Sequence, residues 1–246
     1  MHELGSTRSV NRRDHILQTP DTFVRAKLPG MEDCTAIVHI GPAAGAGFTE
    51  YTAEMEAGGQ LGPAPGQRFL YVLEGSVILG DGDCGPLKER GYAYLPAGDA
   101  RQLIAEAKSR VVAIEKQYQE LYPHDAPGAF CGSEDGVETQ RLMGDEDVQV
   151  RSLLPSDLHF DFAVNTMTFQ PGASLSMVEM HVMEHGLLML QGGGIYRLGD
   201  HWYPVSAGDF IWMAPYCPQW FGALGKMPAR YLIYKDWNRH PLTAGA

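Results

Sequence analysis

Val72-Leu73-Glu74-Gly75 followed by Gly91-Tyr92-Ala93-Tyr94-Leu95 recurs as Met189-Leu190-Gln191-Gly192 followed by Gly208-Asp209-Phe210-Ile211-Trp212, 117 residues further on. In each copy sixteen positions separate the two glycines, and an apolar run and a proline, Pro96 or Pro215, follow the second. Glycine and proline punctuate the chain at turns, so each copy reads as a short strand, a turn region and a second short strand. Two such copies at one offset indicate a duplicated domain. Around them, residues 23–24, 36–40, 47–52, 69–73, 92–95 and 111–114 are brief β-branched or aromatic runs, separated by many of the 29 glycines and 16 prolines. Evenly punctuated short strands predict an all-β sandwich or barrel.

The domain boundaries follow from composition. Residues 1–17 are polar and read as a solvated arm that includes Asn11-Arg12-Arg13-Asp14-His15. A first barrel is predicted over 18–118. Residues 119–146, with Tyr122-Pro123, Ala126-Pro127-Gly128 and Gly132-Ser133-Glu134-Asp135-Gly136, have linker composition. A second barrel is predicted over 147–246.

The chain has 246 residues, 44% of them hydrophobic and 20% charged, which suits a globular protein with a sizeable core. Thirty acidic residues against 19 basic ones give a formal charge of −11, which argues against a general binder of nucleic acid or anionic membranes. The N-terminus lacks an apolar targeting core, and no apolar run approaches eighteen residues, so the expected location is cytoplasmic. Cys34, Cys84, Cys131 and Cys217 are scattered without a CxxC pair, and reduced thiols are expected.

Glu179-Met180-His181-Val182-Met183-Glu184-His185 carries the chemistry. Two imidazoles and a carboxylate stand within seven residues of an apolar stretch. The flanking breakers, Pro171-Gly172 before and Gly192-Gly193-Gly194 after, favour a strand over a helix. On a strand Glu179, His181 and His185 share one face, which makes half of a metal site. The alternative is a solvated strand face or satisfied core histidines. Glu184 has the opposite parity and lacks the spacing of a zinc-protease base. On a predicted strand over 231–235, Tyr231, Ile233 and Lys235 likewise share a face.

The run from Gly172 through Glu179, His181, His185 and Gly192 to Gly208-Asp209, Pro215 and Gln219 resembles the paired motifs of the cupin family. Cupins are small jelly-roll barrels that hold a metal near the barrel axis, so the resemblance implies a bicupin of two tandem barrels. The usual ligand pattern is permuted here: Glu replaces the first His, His replaces the Glu, and Gln219 replaces the last His. This permutation resembles the ureidoglycine aminohydrolase branch of the bicupins, most strongly from about Phe160 to Pro241. The resemblance implies Glu179, His181, His185 and Gln219 as ligands of Mn²⁺, a small ureido substrate, ammonia release within allantoin and purine catabolism, and a homo-oligomer. Tyr196, Tyr231 and Lys235 match substrate-contacting positions of that family and are the candidate catalytic residues.

The donor set of itself would also suit Fe²⁺ or Zn²⁺. An Fe²⁺ cupin dioxygenase and a non-enzymatic small-molecule-binding bicupin are the competing functions. In the first copy the 117-residue offset places Gly62, Ala64 and Arg68 at the ligand positions, and Gln219 falls on Ala100 once the second motif is taken as two residues longer in the C-terminal copy, so no metal site is expected there. Arg68 and Arg101 are expected to pair with nearby acids or to meet a neighbouring subunit. Cys217 reads as a buried inert thiol, and His15 and His39 are assigned no role.

Overall fold

A computed structural model describes residues 6–80 and 82–240; the first five residues of the predicted arm and the end of the second predicted barrel, Pro241 included, lie outside them. The fold is an all-β bicupin built of jelly-roll barrels. It divides into two compact units. One is Val24–Val137; the other joins the residues up to Phe23 with those from Glu138 onward.

The duplication is visible in the strand order. In Val24–Val137 the neighbours run Phe130–Ser133, Gly91–Leu95, Gln67–Glu74, Ser109–Lys116, Thr49–Leu61. In the other unit they run His15–Gln18, Phe210–Met213, His185–Gln191, Ala229–Asp236, Phe162–Phe169. Alternate residues fill each barrel: Leu70, Val72, Ala93, Leu95, Val111 and Ala113 in one, and Leu187, Met189, Ile211, Met213, Tyr231 and Ile233 in the other. That two-residue period is what an inward-facing strand row requires.

The glycines that end the first strand of each motif have one explanation. Gly75 and Gly192 have φ of 87° and 66°. A Cβ at Gly75 would lie 2.5 Å from the Lys108 carbonyl oxygen, and one at Gly192 would lie 2.5 Å from that of Pro228. Each turn passes against the start of the barrel's last long strand, so only glycine fits.

The ladders correct the uniform offset. Leu70 pairs with Ala93, and Leu187 pairs with Ile211. The second motif therefore runs one residue longer in the C-terminal copy, and the glycine match at Gly91 and Gly208 is out of structural register.

Three further expectations need correction. The predicted arm carries two strands, Val10–Asn11 and His15–Gln18, and the second pairs with Phe210–Met213, with His15 and Leu17 buried. Four residues are too few for a period-two pattern to stand out beside Arg12 and Arg13. The predicted linker contributes Phe130–Ser133 to the first unit and Gln140–Leu142, paired with Asp145–Ser152, to the second. Cys84 and Cys131 form a disulfide with their Cα atoms 6.0 Å apart, because the pairing of Phe130–Ser133 with Gly91–Leu95 brings together cysteines 47 positions apart in sequence.

Arg8 fastens the N-terminal segment. Its guanidinium donates to both carboxylate oxygens of fully buried Asp209 at 2.6 and 2.9 Å, and the Ser206 amide donates to the same carboxylate. Arg8→Ala is expected to lower the unfolding free energy by roughly 1.5–3 kcal/mol, the range for hydrogen bonds to charged groups, measurable by urea denaturation.

Candidate metal centre and catalytic cavity

The stretch from Pro171 to Glu184 is not the predicted strand. It runs beside Gln219–Ala223 with intermittent contacts: the Leu175 amide donates to the Phe221 carbonyl at 2.9 Å, and Glu179 and Gln219 exchange both backbone hydrogen bonds at 2.8 Å. Met177, Val178 and Met180 turn outward and are exposed, and the regular strand begins only at His185. Parity along one strand therefore does not align the three residues. The bridge sets Glu179 beside Gln219, and the return of the chain into His185–Gln191 supplies the last imidazole.

The side chains nonetheless converge. Glu179 Oε2 lies 3.2 Å from His181 Nε2, and the His181 and His185 rings have centroids 5.0 Å apart. The Tyr196 hydroxyl donates to Gln219 Oε1 at 3.1 Å. Glu179, His181, His185, Gln219, Tyr196, Tyr231 and Lys235 line one cavity of about 460 Å³. Glu184 is buried and accepts a hydrogen bond from the Trp212 indole at 2.8 Å.

Burial sets the protonation states. The pKa of His185 falls to about 3 through burial, with His181 and Lys235 adding to the effect, so its ring is neutral with a free lone pair. Burial also lowers the pKa of Lys235, while the Glu179 carboxylate acts against that shift. The Lys235 ammonium lies over the Trp237 ring, 4.3 Å from its centroid. Tyr196 and Tyr231 are pushed upward, chiefly by burial, so both phenols keep their protons at neutral pH. The Tyr231 hydroxyl donates to the Met167 sulfur at 3.3 Å.

The first barrel shows what is particular to the second. His185 is the cross-strand partner of Lys235, and the equivalent pair in the other unit is Arg68 and Glu115. There the guanidinium meets Glu115 at 2.7 Å, Tyr51 donates to the same carboxylate, and the charges cancel. Arg101 pairs with Asp99. In the second barrel two basic side chains face each other, an arrangement that suits a bound cation on one and an anion on the other. Two imidazoles, a carboxylate and an amide oxygen, with no thiol lining the cavity, fit a divalent metal of the Mn²⁺ to Zn²⁺ series.

Asn165, Met167, Met183, Arg141 and Trp237 also line the cavity and were not singled out by the sequence reading. Trp237 continues the odd-numbered row of Tyr231, Ile233 and Lys235, so strand parity could have found it. Arg141 and Asn165 carry no such signal: Arg141 sits on a three-residue strand too short to show alternation, and Asn165 reaches the cavity from a strand paired with the distant Ala229–Asp236.

The Cupin domain family matches residues 165–234. "Probable (S)-ureidoglycine aminohydrolase" of Oryza sativa subsp. japonica is 44% identical over 97% of this chain and 78% of its own length. (S)-ureidoglycine aminohydrolase of Arabidopsis thaliana is 43% identical over 97% of this chain and 80% of its own. The crystal structure of protein YlbA from Escherichia coli superposes with a TM-score of 0.84 at 30% identity, covering 95% of this chain and 96% of that one.

Proposed function

Because the chain belongs to the (S)-ureidoglycine aminohydrolase family, we propose that it hydrolyses (S)-ureidoglycine to (S)-ureidoglycolate and ammonia, with Mn²⁺ held by Glu179, His181, His185 and Gln219. The convergence of these four side chains with Tyr196, Tyr231 and Lys235 on one cavity is the observation that supports this reading. Bound there, the metal would supply Lewis acidity and a template for the substrate carboxylate.

The protein's own groups divide the remaining work. Tyr196 donates to one lone pair of the Gln219 amide oxygen, which fixes the amide and leaves the other lone pair for a ligand. Both phenols stay protonated, and with their protons committed to Gln219 and Met167 they offer the substrate acceptor oxygens that orient it. Lys235 is the acid: burial brings its pKa down towards the working range, and its ammonium can protonate the leaving amine. The neutral lysine can then accept a proton from the attacking water. Trp237 shields one side of this ammonium from solvent.

Ammonia release from freshly generated ureidoglycine, followed with purified protein with and without Mn²⁺, tests the proposal. A rate no higher than the spontaneous one would overturn it. Oxygen uptake with Fe²⁺ would instead favour the dioxygenase reading.

We place the enzyme in allantoin and purine catabolism, in the cytoplasm, as a homo-oligomer. Among the described residues no helix is long and apolar enough to cross a membrane. Exposed Met177, Val178 and Met180, in the loop that carries Glu179, would suit cover by a second copy. A single monomeric species in sedimentation analysis would remove the oligomer. The Cys84–Cys131 bond bears on the compartment. Mass analysis after thiol blocking in intact cells is expected to find both cysteines alkylated if the cytoplasm is correct, and a retained bond would point to an oxidising compartment.

A further inference from the structure

Away from the catalytic cavity, Asp14, His15 and Cys217 gather a carboxylate, an imidazole and a thiol, with one donor atom of each within 4.8 Å of the others. The backbone holds them together: the Ala214 amide donates to the Asp14 carbonyl at 3.0 Å, and the Cys217 amide closes the turn onto Ala214. His15 and Cys217 are buried, whereas the Asp14 side chain is 48% exposed and leaves a path from solvent.

The imidazole is already oriented. His15 Nδ1 lies 3.0 Å from Asp14 Oδ1, and Nε2 lies 2.9 Å from the Tyr203 hydroxyl. A metal-bound histidine usually has its second nitrogen held in this way by a hydrogen-bonding neighbour. His201 stands beside it with ring centroids 5.9 Å apart. A Cβ at Gly199 would lie 2.8 Å from Asp14 Oδ2, so the glycine leaves room for the carboxylate.

We propose that Asp14, His15 and Cys217 form a second metal site for a thiophilic divalent ion such as Zn²⁺. The donor set decides the class: a sulfur, a nitrogen and an oxygen suit Zn²⁺ far better than Mn²⁺, and water completes a tetrahedral sphere. On binding, the thiol loses its proton to solvent and the sulfur donates a lone pair to the ion. The bound ion ties the strand His15–Gln18 to the turn two residues before Gln219, so its occupancy braces the backbone beneath a candidate ligand of the catalytic metal.

Co²⁺ added to the full-length protein separates the two sites, because a thiolate-to-cobalt charge-transfer band reports a cysteine ligand. Cys34 is the other free thiol, and the catalytic set contains no sulfur. The expected result is a band that saturates at about one equivalent per chain and bleaches when Zn²⁺ displaces Co²⁺. It should vanish in Cys217→Ser and persist in Cys34→Ser. Asp14→Asn, at the exposed edge of the cluster, is expected to weaken Co²⁺ binding at this site about tenfold and gives a second readout should Cys217→Ser fail to fold. No band in the parent protein, a band surviving in Cys217→Ser, or unchanged affinity in Asp14→Asn would each overturn the site.

Discussion

Glu179→Ala and His185→Ala are each expected to purify without the catalytic metal and to lose roughly a thousandfold or more in kcat/KM, since several kcal/mol of transition-state stabilisation disappear with the ion. Glu179 supplies the carboxylate and is held opposite Gln219 by paired backbone bonds. His185 supplies a buried neutral imidazole that water cannot easily replace. Both changes leave the inward apolar row of Leu187 and Met189 intact, so the barrel should still fold. Arg68→Ala is the control from the first barrel. It strips Glu115 and Tyr51 of their cation and is expected to cost about 3 kcal/mol of stability while metal content per folded chain stays unchanged. Elemental analysis, ammonia release and urea denaturation on the three variants separate the effects. Retention of metal in both Glu179→Ala and His185→Ala would refute the ligand set.

Lys235→Met is expected to keep the metal and lose about 10²–10⁴ in kcat/KM, the range for removing a general acid–base group. Methionine keeps an unbranched apolar chain and removes the ammonium that lies over Trp237. The pH dependence carries the sign. Burial lowers the pKa of Lys235, so the fraction carrying a proton falls as pH rises through that lowered value, and parent activity should decline on the alkaline side. In Lys235→Met that limb should be missing.

Stability should move the opposite way. Between the lowered value and the ordinary lysine value the unfolded chain binds the proton more readily than the folded one, so this group makes stability rise with pH across that window. Below it, the folded state holds a desolvated ammonium, and Lys235→Met should be the more stable protein. Tyr196→Phe and Tyr231→Phe, which remove phenols that stay protonated, should change activity less and leave the alkaline limb in place. An unaltered limb in Lys235→Met would move the acid–base role elsewhere.

The sequence was most legible where a residue's partners lie on its own strand. Tyr231, Ile233 and Lys235 share a cavity-facing row because the strand Ala229–Asp236 is regular, and alternation along a regular strand needs no tertiary information. Glu179, His181 and His185 were legible as a chemical set, but the reason given for their convergence does not hold. Their stretch crosses beside Gln219–Ala223 with broken pairing, and a two-residue period cannot be applied across bends. The strand His15–Gln18 and the Cys84–Cys131 bond escaped notice for a related cause: each depends on a partner segment far away in sequence.

Sequence alone carried the duplicated all-β architecture, through the repeated glycine-punctuated motif and the apolar alternation of its strands, and the chemical identity of the donor set. Only the tertiary structure decided which groups act on one another. It set His185 against Lys235 in one barrel where the other sets Arg68 against Glu115, brought Gln219 opposite Glu179, and placed Cys217 beside Asp14 and His15. Cross-strand register is fixed by how whole sheets close. The proton affinity of a buried side chain depends on the neighbours that closure supplies.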